Sequence, residues 1–348
     1  MTGRNLSRLV CAAAAALVAL LGGLAMAESS DTPPTKASPL RVVVSIPPLR
    51  GLISPLLDEA GIPNTIDVLI PVGASEHGYE IPPAMLGRLA GADLVVEVGL
   101  GLEPQVDKLL ASQPDTRRRV IVLADAAGIF PDKGKDEAGR ERGHDHEEHN
   151  GHEDDDDHHH GTDPHIWLDP VLVEKVIVAE AKVLRDMLGA DAAASARVAA
   201  SEAAVLARVR ALDERYRTTI GSAARRTIVV GHDAWGYLAR RYGIETIAIK
   251  GLTASEPTPA AMQAAVVAVR DKKASCVFAE PQLGRAAADH IAAATGVPVR
   301  TLDPLGDGDW FKLMEANLKE LASAMDARLA PAGSSTPAST NAGKPGPR

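Results

Sequence analysis

Thr162-Asp163-Pro164-His165-Ile166-Trp167-Leu168-Asp169-Pro170 is the stretch from which the fold is read. Pro170 suits a helix start, where a missing N–H costs little. The apolar residues of 171–188 recur at helical spacing and stop at Gly189. Asp191 can cap a second helix over 192–220, rich in alanine, arginine and glutamate, with Val198, Val205, Leu206, Val209 and Leu212 as its apolar positions. A helix of that length can act as a stiff strut along two lobes. Directly upstream of the stretch, 144–160 is crowded with histidine and acid. An ordered histidine, His165, placed after such a run is a metal-protein signature.

Working outward, short β-branched runs alternate with helical patterns on both sides. Upstream, strands are expected at 41–45, 66–70, 94–98 and 120–123, with helices over 49–57, 82–91 and 103–111 between them. Downstream, strands at 227–230, 245–249, 276–279 and 299–302 alternate with helices at 235–241, 259–270, 285–295 and 310–329. Strands alternating with helices argue for parallel sheets. The expected fold is therefore α/β, with two lobes, each a four-stranded parallel sheet flanked by helices, joined by one long rigid helix. The expected lobes are 40–168 and 222–330, with the helix pair at 169–221 between them. The stretch 132–161 has no apolar periodicity and reads as a solvated loop, and 331–348 as a disordered Ser/Pro/Gly tail.

The first residues read as an export signal. Arg4 and Arg8 precede an apolar run at 9–24, and Ala25-Met26-Ala27 is a small-x-small cleavage site. A polar, proline-rich leader follows at 28–39, unlike the flank of a membrane span. Cys11 lies inside the apolar run, which does not suit a lipid-anchor cysteine. The expectation is a soluble periplasmic protein, cleaved after Ala27. Loss of the two signal arginines takes the formal charge from −9 to −11. Twelve acids against four Lys/Arg in 132–161 make the acidity local, and no basic stripe offers itself to nucleic acid. Of the two cysteines only Cys276 outlasts cleavage. That excludes an internal disulfide and a thiolate metal site, so a metal site must use imidazole and carboxylate.

Seven of the eleven histidines lie in 144–160; the others are His77, His165, His232 and His290. His290 lies within a helical pattern and reads as structural or surface. His77 follows the second strand, His232 the fifth, and Asp303 the last. Ligand sites of open α/β sheets form beyond the carboxyl ends of strands. Three imidazoles and one carboxylate converging from two lobes would suit tetrahedral zinc, Zn2+.

Five motifs carry a family resemblance: Gly73-Ala74-Ser75-Glu76-His77-Gly78-Tyr79-Glu80, Asp163 through Pro170, Gly231-His232-Asp233-Ala234-Trp235-Gly236-Tyr237, Glu280-Pro281-Gln282 and Leu302-Asp303-Pro304-Leu305. With them the chain resembles the periplasmic zinc-binding proteins of zinc-uptake ABC transporters, within the metal-receptor cluster of substrate-binding proteins, over 41–329. The resemblance implies two α/β lobes joined by a long helix, with the metal in the cleft. It implies His77, His165 and His232 as metal ligands. Manganese receptors of the cluster tend to carry glutamate at the third position, so His232 matches the zinc type. For the fourth ligand, Asp303 matches the position many relatives use, Glu76 matches a variant in which that glutamate coordinates, and water is a third option. Some zinc receptors have a disulfide in the second lobe, and this chain departs from them there.

The function expected is capture of Zn2+ and its delivery to an ABC transporter permease in the inner membrane. An auxiliary periplasmic zinc chaperone is a further expected partner, and the chain is expected to act as a monomer. The 144–160 run is expected to handle zinc through weak sites. Two other classes stay open. One is an exported zinc buffer that uses the histidine-rich run as its main site. The other is a zinc hydrolase with Glu76 as general base, against which stands the lack of a His-Glu-x-x-His helix or a nucleophile elbow.

Overall fold

A computed structural model of the chain describes residues 38–131 and 162–331. The expected signal peptide, nearly all of the leader, the 132–161 loop and all but the first residue of the tail lie outside the described residues.

In the first half, β1 (Leu40–Val44), β2 (Asn64–Val68), β3 (Leu94–Glu97) and β4 (Arg119–Val122) make one sheet. They alternate with α1 (Pro47–Glu59), α2 (Pro83–Ala90) and α3 (Pro104–Ser112), and α4 (Leu123–Ala127) follows. A 3-10 turn (Ile166–Leu168) leads into α5 (Pro170–Leu188) and α6 (Ala192–Gly221). The second half has β5 (Thr227–His232), α7 (Gly236–Tyr242), β6 (Glu245–Lys250), α8 (Pro259–Asp271), β7 (Val277–Ala279), α9 (Ala286–Thr295), β8 (Val299–Thr301) and α10 (Trp310–Ala324). The sheet orders are β2-β1-β3-β4 and β6-β5-β7-β8, and every pairing is parallel. The expected α/β class and strand count hold.

Local chemistry sets the helix ends. Asp169 accepts from the Val171 amide at 2.9 Å, and Pro170 follows it at the first helical position. Asp191 accepts from the Ala194 amide at 2.9 Å to start α6. The long helix has 30 residues, about 45 Å at 1.5 Å per residue. Its buried positions Val198, Ser201, Val205, Val209, Leu212 and Tyr216 follow three- and four-residue steps along one face. It is tied to both halves. Arg197 Nε donates to the Ala60 carbonyl at the end of α1 at 2.6 Å, and the Tyr216 hydroxyl donates to the Met314 carbonyl in α10 at 2.6 Å.

Some boundaries differ from expectation. The last helix ends at Ala324 rather than 329, because Asp326 turns left-handed (φ 51°) and the chain reverses. Ala330 N then donates to Thr219 Oγ1 on α6 at 3.1 Å. Leu123 opens the short helix α4 instead of closing a strand, and Gly128 (φ 75°) ends it.

One apolar cluster runs through both halves. It includes Val44 and Leu52 from the first half, Trp167 from the connecting turn, Tyr216 from α6, and Val230 and Trp310 from the second half. At its centre Trp167 Nε1 donates to the Pro304 carbonyl at 2.7 Å, while Trp310 Nε1 donates to the Trp167 carbonyl at 2.8 Å. Gly51 of α1 faces this junction. A Cβ there would lie 2.3 Å from Trp310 N, in the backbone that starts α10. Gly51→Ala must therefore push α1 and α10 apart, and is expected to cost about 1–3 kcal/mol in denaturant unfolding; wild-type stability would show that the junction yields freely.

Glu180 on α5 is fully buried, and neither carboxylate oxygen has a hydrogen-bond partner among the described residues. Burial holds its carboxyl well above the ordinary value of 4.5. The folded protein thus keeps a proton that the unfolded chain releases as pH rises past 4.5, and stability falls along that path. Glu180→Gln removes this contribution, so the stability difference in the variant's favour should widen as pH rises from 4.5. A difference that does not change with pH would mean the folded group ionises normally.

Candidate metal centre

Four side chains from three parts of the chain meet at one point. The β2 strand ends at Val68, but its ladder continues: Leu69 N donates to the Val44 carbonyl and Ile70 N to the Ser45 carbonyl, both at 2.9 Å. The chain then turns through Gly73 and Gly78, which are left-handed at φ 87° and 71°. Between these glycines, His77 N donates to Ser75 Oγ at 3.2 Å, and just beyond them Ile81 N donates to Gln105 Oε1 on α3 at 3.0 Å. The loop so fixed buries Glu76 and half-buries His77.

His165 is the residue before the 3-10 turn that Trp167 anchors. Asp163 Oδ1 accepts from both His165 N at 2.9 Å and His165 Nδ1 at 2.8 Å. His232 is the last residue of β5. Its backbone N donates to Glu280 Oε1 at 3.0 Å, and its Nδ1 lies 2.5 Å from Glu280 Oε2. With a carboxylate on Nδ1, each of these two rings turns its Nε2 toward the other side chains of the group.

The free ends converge. Glu76 Oε1 is 4.0 Å from His77 Nε2, 3.7 Å from His165 Nε2 and 3.8 Å from His232 Nε2, and the last two nitrogens are 3.2 Å apart. Glu76, His77, His165 and His232 each offer one donor atom, and these atoms all lie within 4.8 Å of one another. A tetrahedral zinc with bonds of about 2.0–2.1 Å has edges of about 3.3 Å. The His165–His232 separation of 3.2 Å is of that size, the three from Glu76 are wider at 3.7–4.0 Å, and a single ion could draw the atoms together. Glu76 Oε1 and His77 Nε2 are buried and have no hydrogen-bond partner among the described residues. Such atoms are costly unless something else satisfies them.

The charges favour a cation. Burial alone would raise the Glu76 carboxyl, but His165, then His232 and His77, outweigh it and hold it down at about 2. Burial pushes His77 down to about 4. Burial also disfavours imidazolium at His165, yet Asp163 and Glu76 reverse this and lift it to about 9. The centre is therefore anionic at Glu76 and, without a metal, holds a proton on His165. A cavity of about 610 Å3 reaches Glu76 and His77, and is also lined by Tyr79, Glu80, Leu252 and Thr253.

Asp303 is not in the group. Its Oδ1 accepts from Gln282 Nε2 at 2.8 Å, Leu305 N at 2.9 Å and Gly306 N at 3.0 Å. It shapes the loop that presents the Pro304 carbonyl to Trp167. His290 is exposed on α9, as expected. Asp163 and Glu280 were not singled out from the sequence as site residues. Their motifs were visible, but their contacts depend on the turn at 163–165 and on the β5–β7 pairing.

Comparison with known proteins accords with this geometry. The family described as zinc-uptake complex component A, periplasmic, matches residues 42–324. The zinc-binding lipoprotein AdcA of Streptococcus pneumoniae serotype 4 is 29% identical over 278 residues, 77% of this chain and 52% of AdcA. The chain thus spans about half the length of the AdcA proteins it matches. The high-affinity zinc uptake system protein ZnuA of Haemophilus ducreyi is 32% identical over 273 residues, 76% of this chain and 84% of that protein. A solved structure of a ZnuA deletion mutant with zinc bound shares 28% identity, covers 82% of this chain and 98% of its own, and superposes with a TM-score of 0.65. The match over 42–324 takes in both sheets, the connecting helices and all four converging side chains, and the chain belongs to the family of periplasmic zinc-uptake complex A components.

Proposed function

We propose that the chain is an exported zinc receptor that captures Zn2+ with Glu76 Oε1 and the Nε2 atoms of His77, His165 and His232, in a cleft between its two lobes, and delivers it to an ABC transporter permease. The observation that carries this reading is the group of four donor atoms within 4.8 Å of one another, two of whose buried atoms have no other partner among the described residues. Three nitrogens and one oxygen suit zinc better than the harder manganese ion. Glu76 takes the fourth position for which Asp303 was the other protein candidate, since Asp303 Oδ1 is engaged by three donors elsewhere.

Four protein donors fill a tetrahedral shell, whereas a catalytic zinc keeps a position open for water or substrate. That supports a receptor over a hydrolase. The buffer reading rests on 144–160, outside the described residues, while the converging group supports a site independent of that run. Export fits the periplasmic description of the family and the signal read at 1–27. Because only neutral imidazole binds metal, protonation can assist release to the permease.

Calorimetric titration of metal-free protein lacking 133–160 should give one tight zinc site and weak manganese binding. His165→Ala or His232→Ala should weaken zinc binding by orders of magnitude. Wild-type affinity in either variant would sink the assignment, and loss of the tight site on deleting the run would favour the buffer.

The proton on His165 gives a second test. With its pKa lifted to about 9, His165 must lose roughly one proton when zinc binds at pH 7. Zinc affinity should rise with pH and level off near 9. The same proton stabilises the metal-free fold below the ordinary histidine value of 6.5, and this is lost as pH rises through 9. The gap in melting temperature between zinc-loaded and metal-free protein should therefore widen from pH 6.5 to 9. Proton release measured in buffers of different ionisation enthalpy checks the first point, and zero release at pH 7 would contradict it.

A further inference from the structure

Glu280 belongs to a motif that the ligand set does not use, and its position follows from sheet register. Strand β7 pairs with β5 in parallel, Val229 opposite Val277. Three residues further on, His232 closes β5 and Glu280 directly follows β7, and the same register brings them level. Glu280 then takes the His232 backbone N on Oε1 at 3.0 Å and the ring Nδ1 on Oε2 at 2.5 Å. It is buried. Its approach requires the glycine before His232, because a Cβ at Gly231 would lie 2.7 Å from Glu280 Oε1 and 3.0 Å from its Cδ.

A second carboxylate uses the same loop. A Cβ at Gly236 would lie 2.8 Å from Asp163 Oδ2 and 3.2 Å from Arg240 Nη1. The two glycines of Gly231-His232-Asp233-Ala234-Trp235-Gly236 therefore flank one metal-facing histidine, and each makes room for the carboxylate that grips a histidine of the site. The two grips differ. Asp163 uses a single oxygen, Oδ1, for both the N and the Nδ1 of His165. Glu280 uses one oxygen for each donor.

We propose that Glu280, seated in the notch left by Gly231, is the positioning residue that fixes the tautomer of His232 and presents its Nε2 to the metal. The proposal rests on the zinc site described above. It separates two isosteric variants. In Asp163→Asn the remaining carbonyl oxygen can still accept both bonds, so only charge is lost. In Glu280→Gln one donor of His232 must face an amide NH2. If the NH2 faces the ring, the ring loses its Nδ1–H bond or carries its proton on Nε2, where the metal should bind; if it faces the backbone N–H, the two donors repel and the side chain shifts off the ring.

The test uses zinc and the full chain. Zinc affinity by chelator competition should fall roughly 10- to 100-fold in Glu280→Gln, and less in Asp163→Asn. In 15N-labelled zinc-loaded protein, His165 and His232 should each show a slowly exchanging Nδ1–H, and Glu280→Gln should lose or shift that of His232 alone. Gly231→Ala should reproduce the loss, and the Gly231→Ala, Glu280→Gln pair should be far from additive. Wild-type affinity and an unchanged His232 Nδ1–H signal in Glu280→Gln would overturn the proposal, provided His232→Ala has lost binding. Normal zinc binding by His232→Ala would instead remove the site itself, and the proposal with it. If Glu280→Gln does not fold, the wild-type spectrum decides, since a His232 bound to zinc through Nδ1 rules the proposal out.

Discussion

The structure depends on the junction where two buried tryptophan rings each donate to a backbone carbonyl. Trp167 donates to the Pro304 carbonyl, Trp310 donates to the Trp167 carbonyl, and both rings are fully buried in an apolar cluster that runs through both halves. A junction of this kind resists sliding, because moving either half would break two buried hydrogen bonds and open voids in a close-packed interior. α6 reinforces it, bonded to the end of α1 through Arg197 and to α10 through Tyr216. His165 is two residues from Trp167, so the same junction sets the height of one imidazole of the converging group against the others.

With the frame fixed, the centre is an electrostatic arrangement that a cation completes. Three imidazoles and one carboxylate, most of them buried, would be an expensive cluster without one. The nitrogens of His165 and His232 face each other at 3.2 Å, and Glu76 Oε1 reaches no hydrogen-bond donor among the described residues. A divalent ion would satisfy the group at once. The surrounding carboxylates hold the rings in place beforehand, so little ordering entropy remains to be lost on binding.

The sequence showed the second half as a repeat of the first, and the structure has the same order in each sheet, with the second strand of each half at an edge. The β-branched runs were legible because strands buried in parallel sheets are nearly continuous apolar segments. Boundaries were less legible where the backbone changes hand at a residue other than glycine. Asp326 at φ 51° ends α10 early, and no apolar pattern marks it. The choice between Asp303 and Glu76 was open for a similar reason. Both lie beyond strand ends in suitable motifs, and only the direction of the side chain separates them. Asp303 turns back to its own loop, and Glu76 turns inward between two left-handed glycines.

The sequence by itself determined the α/β class, the long helix with its Asp191 cap, and the three histidines marked by their places beyond strand ends and at the connecting stretch. These are properties of local pattern, set by side-chain periodicity and capping chemistry. Tertiary structure alone decided that Glu76 rather than Asp303 meets the histidines, and that Glu280 grips His232 while Asp163 grips His165. Those outcomes depend on strand register and on close approach at Gly231 and Gly236. They are contacts between residues far apart in the chain, and no local pattern encodes the distance between them.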